Sequence, residues 1–269
     1  MDAETNGITL HYELAGEHGP LLVLTHGLGG SLDFFTPHVE ALCRGHRVLR
    51  WDLRGAGASA KPAGPYDPAL FARDLAGLLD ALNERAAYVV GHSGGGVVAQ
   101  RFALDFPDRV RGLVLASTSS EVGEKASAAW HRLADAVERN GFGPAERDPD
   151  PRAFAPSFAA AHPEVVRELA ERTRRNDPRA YAASARAFGS YNWTTELDRL
   201  AAPTLVLQGL ADRMTPPGGS VILARRIPRS RLVMIPDAGH NLPIEMPVLF
   251  CAAIVAFVAG LELAAPSAN

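Results

Sequence analysis

A chain of 269 residues with 47% hydrophobic and 21% charged side chains can bury a large core, which excludes intrinsic disorder and a fibrous role. Lysine and arginine number 27 against 30 aspartates and glutamates, a net charge of -3, so nucleic acid is not expected as a partner. At about 150 residues per domain the length suits one or two units, and one core carrying an insertion is expected. In chain order, Ile8 to Ala15 alternates like an edge strand. Leu21–Thr25, Arg47–Trp51, Tyr88–Val90, Leu113–Leu115, Thr204–Leu207 and Leu232–Ile235 are near-continuous apolar runs, the pattern of parallel strands covered on both faces. Helical stretches lie between them: Phe71 to Leu82, Gly95 to Phe106, Pro216 to Ile227 and Met246 to Leu261.

Strands alternating with helices predict an α/β fold with a doubly wound, mostly parallel sheet. The alternation breaks between Ser117 and Leu200. Trp130, Leu133, Val137, Val165, Val166, Leu169 and Tyr181 fall there on helical spacings, interrupted by the turn signals Gly141-Phe142-Gly143-Pro144 and Asp148-Pro149-Asp150-Pro151. The expected division is a core of 1–117 and 201–269 with a helical cap insertion at 118–200; a separate helical domain is the alternative.

Cys43 and Cys251 sit in apolar helical contexts without metal-ligand spacing, so neither a disulfide framework nor a zinc ribbon is expected, and a reducing, cytoplasmic compartment fits. The start, Met1-Asp2-Ala3-Glu4-Thr5, lacks the base and apolar stretch of a signal peptide. The longest apolar run, Pro247 to Leu261, falls short of the ~20 residues of a spanning helix. No membrane partner is expected.

The strongest local signal is Gly91-His92-Ser93-Gly94-Gly95, a serine between glycines after a strand and before a helix. Small neighbours let a strained turn display a hydroxyl at the carboxyl edge of the sheet. A phosphate or dinucleotide cradle is the rival, but G-x-G-x-x-G and Gly-Lys-Ser/Thr are absent. A purely structural turn stays open on this motif alone. A nucleophilic serine needs a base and a carboxylate that orients it. Of nine histidines, His240 lies in a loop after the last strand, beside Gly239. Asp212 follows the strand that begins after Pro203, with helix capping as its alternative role; Asp237 and Glu121 are rival acids. The order Ser93, Asp212, His240 is that of serine hydrolases built on such a sheet. Thr25-His26-Gly27-Leu28-Gly29-Gly30 also follows a strand, and the backbone N–H groups of Leu28 and Gly94 are the expected oxyanion donors. His26 is expected to brace that loop by bonding backbone. Asp52-Leu53-Arg54-Gly55-Ala56-Gly57-Ala58-Ser59 is expected to be a structural loop with Asp52 and Arg54 paired to each other.

Together these five segments, with Ala238-Gly239-His240 closing the set, resemble the α/β-hydrolase superfamily from about Gly7 to Leu261. The resemblance implies an α/β-hydrolase fold. A serine at position 93, where haloalkane dehalogenases and epoxide hydrolases carry aspartate, implies hydrolysis through an acyl-enzyme. Arg47–Gly55, Leu78–Leu82 and the cap start Ala129-Trp130-His131-Arg132-Leu133 are similar to the 3-oxoadipate enol-lactonase group and the small carboxylesterases around it. His92 before the serine and Gly94 after it depart from that group. The absence of a side chain at Gly94 is expected to widen the acyl pocket.

The expected activity is therefore a serine carboxylesterase. Lactone hydrolysis, carbon-carbon bond hydrolysis of vinylogous diketones, haloperoxidase or perhydrolase chemistry and a non-enzymatic binding role are the alternatives. No cofactor and no metal are implied, and the expected partner is a small ester or lactone, with room left for a homodimer. Trp130, Phe34 and Phe142 are the expected substrate-wall residues, with Phe35, Phe154, Phe158, Tyr191 and Trp193 as further candidates; each fits plain packing equally well. Arg132 would meet a substrate carboxylate or stand as a solvated helix charge.

Overall fold

The computed structural model describes residues 1–143 and 150–264. Pro144, Asp148 and Pro149 of the two turn signals lie outside the described residues. The strands are β1 (Asp2–Thr5), β2 (Ile8–Ala15), β3 (Leu21–Thr25), β4 (Arg47–Trp51), β5 (Ala87–His92), β6 (Val110–Ala116), β7 (Thr204–Gly209) and β8 (Ser230–Ile235). The helices that flank them are α1 (Val39–Leu42), α2 (Pro68–Ala81), α3 (Gly94–Asp105), α4 (Glu124–Asn140), α5 (Pro156–Ala161), α6 (Pro163–Arg174), α7 (Pro178–Phe188), α8 (Pro217–Arg226), α9 (Leu242–Glu245) and α10 (Pro247–Ala264). One sheet holds all eight strands in the order β1-β2-β4-β3-β5-β6-β7-β8. The two pairings that involve β2 are antiparallel, and every pairing from β4 to β8 is parallel.

Because successive side chains on a strand point to opposite faces, each apolar run feeds two cores. Val23, Leu49, Val89, Leu113, Leu115 and Val206 pack with Leu75 and Leu78 of α2, Phe102 of α3 and Leu223 of α8. Leu22, Leu24, Val48, Val90, Val114 and Leu207 pack with Leu42 of α1 and with Phe250, Ile254 and Val258 of α10. The α/β class and the doubly wound, mostly parallel sheet are therefore as expected from the sequence.

Strand β1 has no counterpart in the sequence reading, which begins at Ile8. Of its residues Asp2–Thr5 three are polar and Ala3 is the one apolar residue, so no apolar run announces them. The signal lies in the turn that follows: Asn6 and Gly7 both have positive φ, 47° and 75°, as a two-residue hairpin turn with the right-handed twist of its strands requires.

Helix α10 runs three residues past the apolar stretch seen in the sequence and is long and apolar enough, by length and composition, to cross a membrane. One side, with Phe250, Cys251, Ile254 and Val258, is buried in the second core, while Val248 and Leu263 are exposed.

Between β6 and β7, the described residues form helices and no strand. Helices α4 and α7 pack through buried Ala134, Ala182 and Ala185, with Trp130 and Tyr181 beside them. Small side chains let the two helix axes approach closely. Arg186 of α7 adds ion pairs to Asp135 at 2.7 Å and Glu138 at 2.6 Å on α4. The two ends of this segment meet in a neck: Val122 N–H donates to Tyr191 O at 3.1 Å, Trp193 N–H to Ser120 O at 3.1 Å, and Ser120 and Thr194 share a hydroxyl bond of 2.7 Å.

Candidate active site

Ser93 stands between β5 and α3 with φ 55° and ψ -120°, a left-handed conformation that a side-chain-bearing residue adopts only when its surroundings force it. The surroundings do so here. A Cβ on Gly91 would overlap Gly95 O, and one on Gly95 would overlap Thr25 O, so β5, α3 and β3 close on the turn only with glycine at both places. The Ser93 N–H donates to Ala116 O at 2.9 Å, and its carbonyl accepts from Thr118 Oγ1 at 2.9 Å.

The loop after β8 brings His240 to this hydroxyl: His240 Nε2 lies 2.9 Å from Ser93 Oγ. On the far side of the ring, Nδ1 lies 3.0 Å from Asp212 Oδ2. An ionised carboxylate only accepts, so Nδ1–H is the donor and Nε2 presents a lone pair to the serine O–H. Asp212 is held in turn. Its Oδ1 accepts from Met214 N at 2.9 Å and Thr215 N at 2.8 Å, and its Oδ2 also accepts from Gln208 Nε2 at 3.3 Å. Asp212 and His240 are 3% and 4% exposed, so water does not compete for these bonds.

The loop after β3 lies against the same hydroxyl. A Cβ on Gly27 would stand 3.0 Å from Ser93 Cβ and 3.4 Å from Ser93 Oγ. The Leu28 N–H comes within 3.3 Å of where a Cβ on Gly94 would be, and among the described residues neither the Leu28 nor the Gly94 N–H has a hydrogen-bond acceptor. Two free N–H groups beside an activated serine are what a developing oxyanion needs. A cavity of about 320 Å³ opens from Ser93, Gly94 and Leu28 and is walled by Val97, Thr118, Ser119, Trp130, Phe188, Tyr191, Met214 and Ile222, among others.

A model of the alpha/beta hydrolase fold matches residues 20–247. The chain belongs to the α/β-hydrolase family. It is 30% identical over 250 residues to 3-oxoadipate enol-lactonase 2 of Acinetobacter baylyi, a match that covers 93% of this chain and 92% of that protein. The enol-lactonase from Burkholderia xenovorans LB400 superposes with a TM-score of 0.91 at 30% identity, over 96% of this chain and 100% of that one. A thermophilic esterase from Thermogutta terrifontis superposes with a TM-score of 0.90 at 33% identity, over 97% and 98% of the two chains. The protein is a hydrolase of the enol-lactonase-like group.

Other residues of this hydrolase stand as follows. Trp130 and Tyr191 line the cavity, whereas Phe34 and Phe142 do not. The Phe34 ring stacks on His92, centroids 4.8 Å apart, and Phe142 meets Tyr181 edge-on at 5.0 Å. Both are corrections, since aromatic character alone did not say what a ring would pack against. Phe35 and Trp193 are core residues, and Phe154 stacks on Phe158. Arg132 is exposed and outside the cavity wall. Gly94 does not widen the pocket as expected: a Cβ there would lie 3.0 Å from the Phe188 ring, which takes up that space.

Of the rival acids, Asp237 is exposed, and Glu121 accepts from Thr194 Oγ1 at 3.0 Å. His26 does brace its loop. Its Nδ1–H donates to Gly27 O at 2.8 Å and its Nε2 accepts from Leu53 N at 3.2 Å, a neutral ring whose pKa burial lowers, against the pull of Asp52. The expected Asp52–Arg54 pair is corrected. Asp52 accepts the N–H groups of Leu32 and Ala58, each at 2.7 Å, and Arg54 forms a two-bond fork onto Asp74 of α2, both bonds 2.6 Å. Among the described residues no cluster of three or more His, Cys, Asp or Glu could hold a metal.

Sequence reasoning missed two supports of the His240 loop. His92 is buried, and its Nε2–H donates to the His240 carbonyl at 2.8 Å; burial and the neighbouring His240 push its pKa down to about 3. Glu245 at the end of α9 accepts from Gly239 N at 2.8 Å and from Ala155 N at 2.9 Å through one oxygen. Burial raises its pKa. The stretch 151–155 is thereby strapped to the loops that carry Asp212 and His240: Asn241 donates twice to Ala153 O at 3.0 Å, and Arg213 donates to Pro151 O.

Proposed function

We propose that this hydrolase cleaves carboxylic esters through an acyl-enzyme on Ser93. One observation carries the reading: a single imidazole bridges a strained serine hydroxyl and a buried carboxylate, at 2.9 and 3.0 Å, beside two unpaired backbone N–H groups. In the first half-reaction His240 Nε2 takes the Ser93 proton as Oγ attacks the ester carbonyl, while the Leu28 and Gly94 N–H groups hold the oxyanion. Collapse expels the alcohol, which receives the proton from His240. Water, deprotonated by the same nitrogen, then attacks the acyl carbonyl and releases the acid and Ser93. Asp212 fixes the tautomer and stabilises the imidazolium; each oxyanion donor contributes about 3 kcal/mol to the transition state.

Lactones, as cyclic esters, fall within this chemistry, and the enol-lactonase relatives support including them. In the same reading 118–200 serves as the cap over Ser93 and the partner is a small ester or lactone. Trp130, Phe188 and Tyr191 bring that segment into the cavity wall. The test is a phosphonate ester that traps active serines. Mass spectrometry should find one adduct, on Ser93, and Ser93→Ala should lose both the adduct and turnover of p-nitrophenyl esters. Ester hydrolysis persisting in Ser93→Ala at the parent rate overturns the assignment.

A further inference from the structure

We propose that the cavity selects esters whose acyl group is uncharged and turns away those ending in a carboxylate, with Glu121 as the specificity-determining residue. The inference rests on the ester-hydrolase reading above. The wall beyond Ser93 combines apolar Val97, Trp130 and Phe188 with the hydroxyls of Ser119 and Tyr191, and Glu121 is the charged residue on it. No lysine, arginine or histidine lines the cavity among the described residues, and Arg132 is exposed and outside its wall.

The Glu121 charge is not cancelled. Its carboxylate stands exposed at the edge of the cavity, accepts from the neutral hydroxyl of Thr194, and is paired with no cation among the described residues. Its field reaches the wall: Tyr191, half-buried and bonded to Ser119 at 3.1 Å, has its pKa pushed up to about 12 by burial, with the Glu121 charge adding to the rise. The Tyr191 phenol therefore stays neutral. A substrate carboxylate entering here would leave water for hydroxyls alone, without a cation to pair with, and would face a like charge. An alkyl chain pays neither penalty and covers the apolar wall.

The experiment compares p-nitrophenyl hexanoate with mono(p-nitrophenyl) adipate, whose acyl chains have the same length and differ by the terminal carboxylate. At low salt, kcat/KM for the hexanoate should exceed that for the adipate monoester by about tenfold or more. Glu121→Gln keeps a partner for Thr194 and should narrow that ratio about threefold or more; about 0.5 M salt should narrow it in the parent enzyme too. A ratio near one, a preference for the adipate, or a ratio unmoved by Glu121→Gln overturns the inference while leaving the ester-hydrolase reading intact. Failure to cleave either ester overturns that reading instead.

Discussion

Two buried polar networks lie side by side in this molecule, and they end differently. In the first, Arg54 is forked onto Asp74, which also accepts from Asn6 Nδ2 at 2.7 Å, and Asp52 is filled by the N–H groups of Leu32 and Ala58. Every bond found there runs between parts of the scaffold: the β1–β2 turn, the segment between β3 and β4, the loop after β4, and α2. In the second, Asp212 is as fully bonded as Asp52, but the chain of hydrogen bonds continues through His240 and stops at Ser93, beside two free N–H groups and a cavity. Asp, Arg, Ser and glycine-rich loops occur in both. The difference is a hydroxyl whose bond is to the His240 imidazole, with two backbone donors beside it left without partners, which is where a reacting group can be received.

The sharpest way to break this contrast is to replace one carboxylate in each network by its amide or by alanine. Asp212→Asn should hold the imidazole in the wrong tautomer and lower kcat by about 10⁴, with little change in unfolding midpoint; kcat within tenfold of the parent would remove Asp212 from the triad. Asp74→Ala should do the reverse. It leaves the Arg54 guanidinium buried without its counter-charge, a loss of about 3–5 kcal/mol of stability by urea denaturation, while kcat per folded molecule stays near that of the parent. Replacing both partners, Arg54→Met with Asp74→Leu, should recover most of that loss, since an apolar pair carries no desolvation debt.

The contrast also marks what the sequence could reveal. Ser93 and His240 were readable because their neighbours are glycines that only a tight turn needs, and Asp212 because it follows a strand end. The two networks could not be told apart locally. Arg54 has Asp52 two positions away, yet its partner is Asp74 on a helix twenty positions along, a contact set by how α2 packs. Phe34 and Phe142 were equally opaque, since aromatic character says that a ring is buried and not what it is buried against. Strand β1 was within reach through Asn6-Gly7, the turn dipeptide that precedes the recognised strand. Glu245 had a fainter signal, an acid at the start of a strongly apolar terminal stretch where solvation would be lost.

Glu245 offers a smaller effect that tests how far the second network depends on its support. One of its oxygens takes two N–H groups, from Gly239 beside His240 and from Ala155 of the strap, and a Cβ on Gly239 would overlap the Ala155 backbone. Glu245→Leu strands both donors in a buried place, at about 1–3 kcal/mol each, and should lower kcat severalfold with KM nearly unchanged, because the bond it loosens positions His240 and not the substrate. Glu245→Gln retains an acceptor oxygen and should restore most of kcat. Equal losses in the two variants, or a loss confined to KM, would assign Glu245 a role other than positioning.

The smallest expected effect concerns His92, whose ring links β5 to the His240 carbonyl. Folded, it takes a proton only near pH 3; unfolded, it does so near its ordinary value of about 6.5. Between those values the unfolded state binds more protons, so stability falls as the pH is lowered, by up to about 1.4 kcal/mol per pH unit for one such group, and is fully present above pH ~6.5. His26 and His38, whose pKa values burial also lowers, add to the fall in any variant that keeps them. His92→Gln retains an N–H donor for the His240 carbonyl and removes the titrating ring, so its stability should decline less steeply than the parent's between pH 6.5 and pH 4 in urea titrations. Identical slopes would mean that the ring is solvated well enough to take up its proton in the folded protein, and the packing of Phe34 over it would then have to open at acid pH.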